Sequence, residues 1–474
     1  MKRFWLVLLL LGLVMAFSVS AFAVDVKVSG EFDVGGLYLD KTTLNSSRAS
    51  YDGGPSYDRT NPSTAFFYQK LQVGTEFIVS PSLKLDTRFN VMERIWGGAR
   101  TPAGADVNAS GTSAGTRAEN ENIAFDLAYI DYTSPIGEFK VGYQPDYVWG
   151  TVFGDRSSGP PAGQIQYWKN VGPATIFVGY AKEVDNSMSV VSAGTINSTR
   201  TDRDADSYRL GGIYNFKDGE AGILFLYDRD ATNRGSASGP YMTNIYTLDP
   251  YVKAKIGPVA LQAEVMYFFG DAKKWETTKY GSPWTSASPN ESINALSAFL
   301  DATATFGMFN VGGTFAYLSG DDPNTKDKVE GGINTAGLDW QPCLILFNTD
   351  LNYWLPPIYG HSDSLANGQM SNAWFFQGRV GVKPMPKLDA MLSVSYATAD
   401  KNPDPKDYGT TYPNGGYGLE VDATGTYKIT DNLSYMLGIG YLFTGDFFKG
   451  YDWSGQSYKT VDDYLLINKL VFTF

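Results

Sequence analysis

Tyr359-Gly360-His361-Ser362-Asp363 brings together the residue types of a nucleophilic triad, and His361 is the only histidine in the chain. Nucleophilic catalysis needs a serine or cysteine beside a base. Adjacent residues point in different directions, however, and triads are assembled from spatial rather than sequential neighbours. His361 is therefore read as a loop histidine, and no catalytic residue is assigned. The single cysteine, Cys343, sits in Cys343-Leu344-Ile345-Leu346-Phe347, where it reads as a small packed hydrophobe, and it has no partner for an internal disulfide. One histidine and one cysteine do not make a zinc or haem site of standard ligation. Two acidic clusters, Ser319-Gly320-Asp321-Asp322-Pro323-Asn324 with Asp327, and Asp400 to Asp407, offer oxygen ligands of the kind Ca²⁺ takes. Neither has EF-hand order, and both are read as solvated loop tips. The expectation is a chain that is not an enzyme and needs no metal or cofactor.

A different chemistry is carried by charges that recur at every second position. Lys84, Asp86 and Arg88 alternate with Leu85, Thr87 and Phe89; Glu264 lies in Ala260–Tyr267, and Glu420 and Asp422 in Gly418–Thr424. Assigned to one face by alternation, Lys84, Arg88, Lys140, Arg209, Lys253, Lys255, Arg379 and Lys383 point the same way as Glu31, Asp33, Asp86, Asp126, Glu264, Asp301, Glu420 and Asp422. Rings of charged side chains set solute selectivity in a pore. The pore-lining candidates are Lys84, Asp86, Arg88, Arg209, Lys253, Lys255, Glu264, Arg379, Glu420 and Asp422. Arg209, Lys253 and Lys255 would form one wall and Glu420 and Asp422 another, with a transverse field between them. The alternative is that these residues pair with one another and plug the wall.

Such positioning demands strands. Val24 to Val34 sorts Val, Gly and Phe onto one face and Asp, Lys, Ser and Glu onto the other, which a helix would scatter. The same sorting recurs along the chain, and the connections come in two alternating lengths. Ser80-Pro81-Ser82, Ser134–Gly137, Val171-Gly172-Pro173, Lys217-Asp218-Gly219, Gly257-Pro258, Gly307-Met308, Pro384-Met385-Pro386 and Thr430-Asp431-Asn432 are tight turns. Between them lie polar segments at about Lys41–Thr64, Gly97–Glu119, Thr151–Gly163, Asn186–Arg203, Asp230–Gly239, Lys273–Asn290, Gly320–Gln369, Lys401–Gly415 and Lys449–Thr460. Eight turns and nine loops join eighteen strands. The pattern predicts an all-β fold, a transmembrane antiparallel up-and-down β-barrel with short periplasmic turns and long extracellular loops. Gln341–Trp354 is apolar enough to be a further strand. It is placed inside the longest loop, 320–369, which is expected to cover it by folding into the lumen or packing on the rim; a hairpin pair making twenty strands is the competitor.

The chain has 474 residues, 15% of them aromatic, with 51 glycines and a mean hydropathy of −0.21. Lys2 and Arg3, the apolar run Phe4 to Phe17, and Ala21-Phe22-Ala23 make residues 1–23 a secretory signal peptide. After it no stretch of about 18 apolar residues remains, so helical spanning is not expected, and residues 24–474 are read as a single barrel domain. The net charge of −12 becomes two units more acidic once Lys2 and Arg3 leave. This balance argues against nucleic acid, whose phosphates need clustered Lys and Arg. Tyr129, Tyr132, Tyr143, Tyr147 and Trp149, and again Tyr441, Phe443, Phe447 and Phe448, gather near strand ends as interfacial girdles do.

The closing strand carries Leu470, Phe472 and Phe474 on one face and Lys469, Val471 and Thr473 on the other. A terminal aromatic after alternating apolar residues resembles the C-terminal assembly signal of bacterial outer-membrane barrels. The layout as a whole resembles the eighteen-stranded porin and polysaccharide-export barrels, including the alginate-export type, most closely in Glu420–Phe448. That resemblance implies a Gram-negative outer-membrane location and contact with membrane lipid, lipopolysaccharide and the barrel-assembly machinery; a homo-oligomer is compatible with it. The leading expectation is a channel for diffusion of small hydrophilic or ionic solutes. An export conduit for an anionic polysaccharide, working with periplasmic partners, and a non-conducting structural or adhesive barrel stay open beside it.

Overall fold

Val26 and Val28 turn outward and lie about half exposed, while Glu31 and Asp33 turn inward, so the first strand separates apolar from charged residues by its pleat. A computed structural model describes residues 24–41, 44, 63–97, 123–157, 159–186, 202–235, 239–279, 282–283, 285–286, 288–332, 339–354, 369–402, 415–449 and 459–474. The signal peptide, His361 and most of the Asp400–Asp407 cluster lie outside these residues.

The wall begins with β1 (Asp25–Leu39), β2 (Thr64–Ser80), β3 (Leu83–Ile95), β4 (Ile123–Ser134), β5 (Gly137–Pro145) and β6 (Pro161–Val171). It continues through β7 (Ala174–Val184), β8 (Ala205–Phe216), β9 (Gly219–Asp230), β10 (Tyr241–Ile256), β11 (Val259–Trp275) and β12 (Glu291–Phe306). The last six are β13 (Phe309–Leu318), β14 (Ala373–Met385), β15 (Leu388–Ala399), β16 (Gly416–Lys428), β17 (Leu433–Thr444) and β18 (Asp463–Thr473). Each pairs antiparallel with its sequence neighbours, and β18 returns to β1, from Glu31 opposite Thr473 to Leu39 opposite Leu465. Two further backbone bonds extend this seam, Gly30 N to Phe474 O at 2.9 Å and Phe474 N to Gly30 O at 3.0 Å. Gly30 has to lack a side chain here, because a Cβ would stand 2.9 Å from the Gln72 carbonyl oxygen and inside the Phe474 ring. No wall strand is left with an unpaired edge, the condition for a sheet to survive in hydrocarbon.

The eight turns lie at one end and the nine long connections at the other, as the sequence pattern predicts. Two short strand pairs decorate the loop end: Lys328–Val329 runs parallel beside Ser292 and Ile293, and Thr278–Lys279 pairs with Ser282–Pro283. Outside, Leu210, Ile223, Val265, Leu300, Val394 and Ile439 belong to an exposed apolar belt far larger than a water-facing surface carries.

The inner face is not uniformly polar. In the loop half of the barrel Leu37, Leu39, Phe299, Phe375, Tyr417 and Leu465 form a packed core with residues of the longest loop. Tyr147, Trp149, Phe447 and Phe448 are buried in the interior and Tyr129 lines an inner cavity, which corrects their assignment to an outer girdle. Tyr132, Tyr143, Tyr441 and Phe443 do face outward. The reason is that the loops carrying four of the corrected aromatics dip below the rim, where their rings fill space that strands alone leave empty.

Candidate constriction and solute chamber

Among the described residues two loop segments besides the turn at Asp446–Phe448 enter the barrel, and in each case a wall carboxylate receives them through backbone N–H groups. The first, Asp146–Pro160, links β5 to β6. Arg209 on β8 holds its neck, donating to the Asp146 carbonyl oxygen and, at 2.6 Å, to Asp146 Oδ1. Tyr147 OH donates to Asp249 Oδ2 at 2.6 Å and Trp149 Nε1 to the Asp249 carbonyl at 3.2 Å. Gly211 leaves the room that the Trp149 ring occupies, since a Cβ there would sit 3.0 Å from it. Glu264 on β11 then accepts from Thr151 N at 2.8 Å, Gly154 N at 3.2 Å and the Thr151 hydroxyl. Gly150, at φ +77, takes the left-handed turn that brings the chain over Glu264, and no Cβ fits between it and that carboxylate.

The second segment, Asp339–Trp354, lies within the connection between β13 and β14. Glu420 on β16 accepts Ile345 N on Oε1 and Leu346 N on Oε2, both at 2.7 Å, and Gln377 Nε2 donates to the Pro342 carbonyl at 2.7 Å. Phe347, at φ +54, is a rare left-handed non-glycine residue. Its ring is fully buried, edge-on to Phe375 and Tyr417 at 5.9 and 5.5 Å between centroids, and this packing holds the backbone there. Asn348 caps the short helix α1 (Thr349–Trp354), its Oδ1 accepting from Leu351 N at 2.8 Å. The two segments meet where Phe153 packs on Trp340, with centroids 5.2 Å apart, and Ser157 Oγ donates to Asp339 Oδ2 at 2.8 Å.

Cys343, Glu420 and Asp422 form the one group of possible metal ligands among the described residues, with donor atoms within 4.8 Å of one another. Both Glu420 oxygens already accept loop amides, so the cluster serves as a clip for the second segment.

The second segment packs on the loop-side ends of β1 and β18, at Leu37, Leu39 and Leu465, and below that contact a space remains against β18 and β1 to β4. There a chamber of about 560 Å³ is bounded by the wall, by Gly159 and Pro160 of the first segment and by α1 of the second. Five acidic side chains line it, Glu31, Asp33, Glu93, Asp126 and Asp350, against three basic ones, Lys70, Arg88 and Lys469. Each base has a matching acid: Arg88 with Asp126 at 2.8 Å, Lys469 with Asp33 at 3.2 Å, Lys70 with Glu93 at 3.6 Å. Tyr353 OH donates to Glu93 Oε1 at 2.8 Å, and Trp354 stacks on Tyr68 with centroids 4.3 Å apart. A second cavity of about 430 Å³ lies beside the neck of the first segment, bordered by Lys140, Gln144, Trp168 and Arg209.

All ten residues singled out by alternation sit on inward positions, but their surroundings differ. Of them Arg88 alone borders the larger chamber and Arg209 the smaller. Lys84 joins Asp86 at 3.4 Å and Asp131 at 3.6 Å. Lys253 pairs with Glu220 at 3.4 Å, and Lys255 is exposed near the turn end. Arg379 meets Asp301 at 2.7 Å and Thr314 Oγ1 at 2.6 Å. Glu264, Glu420 and Asp422 are sealed beneath the inserted segments, with Glu420 fully buried. The two opposed charged walls are thus divided among local ion pairs and loop clips. Leu470, Phe472 and Phe474 face outward on β18.

The insertion Asp146–Pro160 escapes a reading by alternation, which starts that loop at Thr151 and sets Tyr147 and Trp149 on a strand end. The available signal is Trp149-Gly150-Thr151-Val152-Phe153-Gly154, where aromatics are interleaved with glycines in a segment otherwise taken as polar. Glu93 was hidden for another reason. Met92 adopts φ +52 and the β2–β3 register shifts nearby, which turns Glu93 inward against the parity of β3.

No family model matches the chain, and no curated protein matches it in sequence. Among solved structures it is similar to OccK2 (OpdF) of Pseudomonas aeruginosa, at 12% identity and a TM-score of 0.48 over 95% of this chain and 98% of that one. It is likewise similar to the outer membrane protein OpdK of Pseudomonas aeruginosa, at 12% and 0.48 over 94% and 99%. The outer membrane channel DcaP of Acinetobacter baumannii matches at 12% and 0.42 over 95% and 97%.

Proposed function

We propose that this chain is an outer-membrane channel through which small hydrophilic or ionic solutes diffuse, with residues 24–474 forming one barrel and residues 1–23 serving for export. The observation that carries this reading is a closed eighteen-strand wall, apolar outside and charged inside, with a charged chamber between its inserted segments and β18 and β1 to β4. A barrel without a passage would have no use for a charged chamber at that position. Export of an anionic polymer calls for a continuous basic lumen, whereas the basic groups on the chamber wall are matched by acids. In planar bilayers the purified protein should give discrete conductance steps in KCl. Their complete absence would overturn the channel and favour a structural barrel.

Outer-membrane lipid and lipopolysaccharide are the proposed surroundings of the apolar belt. Leu470, Phe472 and Phe474 are proposed as the segment met by the assembly machinery. Phe474→Ala should then lower the fraction of chain that reaches the heat-modifiable, barrel-migrating form in cells, with little change in the thermal stability of the assembled fraction. An undiminished assembled fraction would remove Phe474 from that role.

A further inference from the structure

Matching the chamber's charges leaves a remainder. Among the described residues, Glu31 and Asp350 make no salt bridge beside these three pairs, so the described lining of the chamber carries five carboxylates against three bases. Asp33 adds to this, because its Oδ2 faces Lys469 while its Oδ1 has no hydrogen-bond partner among the described residues. Excess carboxylates on wall and helix, with low-dielectric walls around them, draw cations into a cleft and repel anions.

The second part of the site is aromatic. Helix α1 presents Asp350 with Tyr353 and Trp354, three and four residues on, which places all three on one face. Trp354 is buried against Tyr68, but Tyr353 is about half exposed and is fixed through its hydroxyl to Glu93. A carboxylate and a fixed ring within one turn of helix suit a cation that has both a charge and an organic body. The charge meets the carboxylate, and the ring face takes the rest through cation–π and apolar contact. A bare metal ion would use neither the ring nor the roughly 560 Å³ of space, and an anion would meet the excess charge.

We propose that this chamber is a binding station for small organic cations, amines or guanidinium groups, seated between Asp350, Glu31 and the Tyr353 ring. The proposal rests on the channel reading for its place on a solute path, but binding itself is measurable without transport. The probes are three compounds of one size and different charge: benzylamine, benzyl alcohol and benzoate. Titrated calorimetrically into the detergent-purified full chain, benzylamine should bind more tightly than benzyl alcohol, and benzoate weakest. Equal binding of benzylamine and benzyl alcohol, or a preference for benzoate, would overturn the proposal. The double variant Glu31→Gln, Asp350→Asn should weaken benzylamine about tenfold, the scale of losing two partly screened charge contacts. It should leave benzyl alcohol unchanged. A folded double variant, judged by heat-modifiable migration, that keeps full benzylamine affinity would also overturn it.

In bilayers the same compound should interrupt single-channel current, and a KCl gradient should give a reversal potential of cationic sign. Conductance with anion preference would sink the station and keep the channel. Selective benzylamine binding without conductance would sink the channel and keep the station.

Discussion

Replacement of Asp339–Trp354 by a short glycine-serine linker is expected to raise single-channel conductance several-fold. This segment is packed deep inside the wall: Ile345, Leu346 and Phe347 are almost wholly buried, and their rings and branches pack in the loop half of the lumen with Phe375 and Tyr417. The wall should survive its removal, because every wall strand finds both its neighbours in other wall strands and none pairs through the segment. What is lost is apolar contact on the inner faces of β12, β14 and β16, which then meets water. A milder variant separates obstruction from collapse. Glu420→Ala deletes the acceptor of Ile345 N and Leu346 N, and each buried N–H left without a partner costs about 1–3 kcal/mol. The expected record is a channel that flickers to a wider state, with the barrel as resistant to denaturation as before. If both variants conduct like the parent, the segment does not limit the passage.

Arg209→Met should free the other insertion. The Arg209 side chain is 5% exposed and holds Asp146 by both a backbone and a carboxylate oxygen, with Glu183 at 3.4 Å and Gln164 Oε1 at 3.2 Å. Methionine fills much of the volume but leaves Asp146 and Glu183 facing each other without a cation. Breaking a buried pair from one side costs about 3–5 kcal/mol. That loss falls on the neck of Asp146–Pro160, because the β8 backbone keeps its pairings to β7 and β9. The expected readouts are protease cleavage between Asp146 and Pro160 in intact barrels and a rise in current noise. Arg209→Lys keeps the charge without the planar fork and should fall between parent and methionine. A methionine variant whose insertion stays protease-resistant would show that Asp249 and Glu264 suffice to hold it.

The wall was legible because its signal is local. A period of two and turn residues at Pro81, Gly172, Gly219 and Pro258 are consequences of pleat and φ preference that need no knowledge of the rest of the chain. The inward direction of Lys84, Arg88, Glu264 and Glu420 follows from the same period. What each of those side chains does was not legible, because it depends on contacts between residues far apart in sequence. Glu264 meets Thr151 and Glu420 meets Ile345 only after the barrel has closed. The apolar run Gln341–Trp354 announced that something had to cover it, and the sequence pattern left lumen and rim as alternatives. Asp146–Pro160 gave no such notice, since its burial is carried by Trp149 and Phe153 in a segment otherwise rich in loop residues. Glu93 depended on a single backbone irregularity at Met92, which no alternation rule anticipates.

The manner in which the wall grips its insertions bears on how such a passage can be retuned. Glu264 and Glu420 take hold of peptide N–H groups, which every residue but proline supplies whatever its side chain. At these two clips the wall recognises the path of an insertion, while Asp146, Tyr147, Trp149 and Phe347 add contacts that depend on their side chains. Asp350 and Tyr353 stand beyond the gripped amides and line the chamber. The protein is in this sense a socket with exchangeable inserts: rewriting two or three letters of α1 can set a new preference while the eighteen strands and their clasps stay as they are.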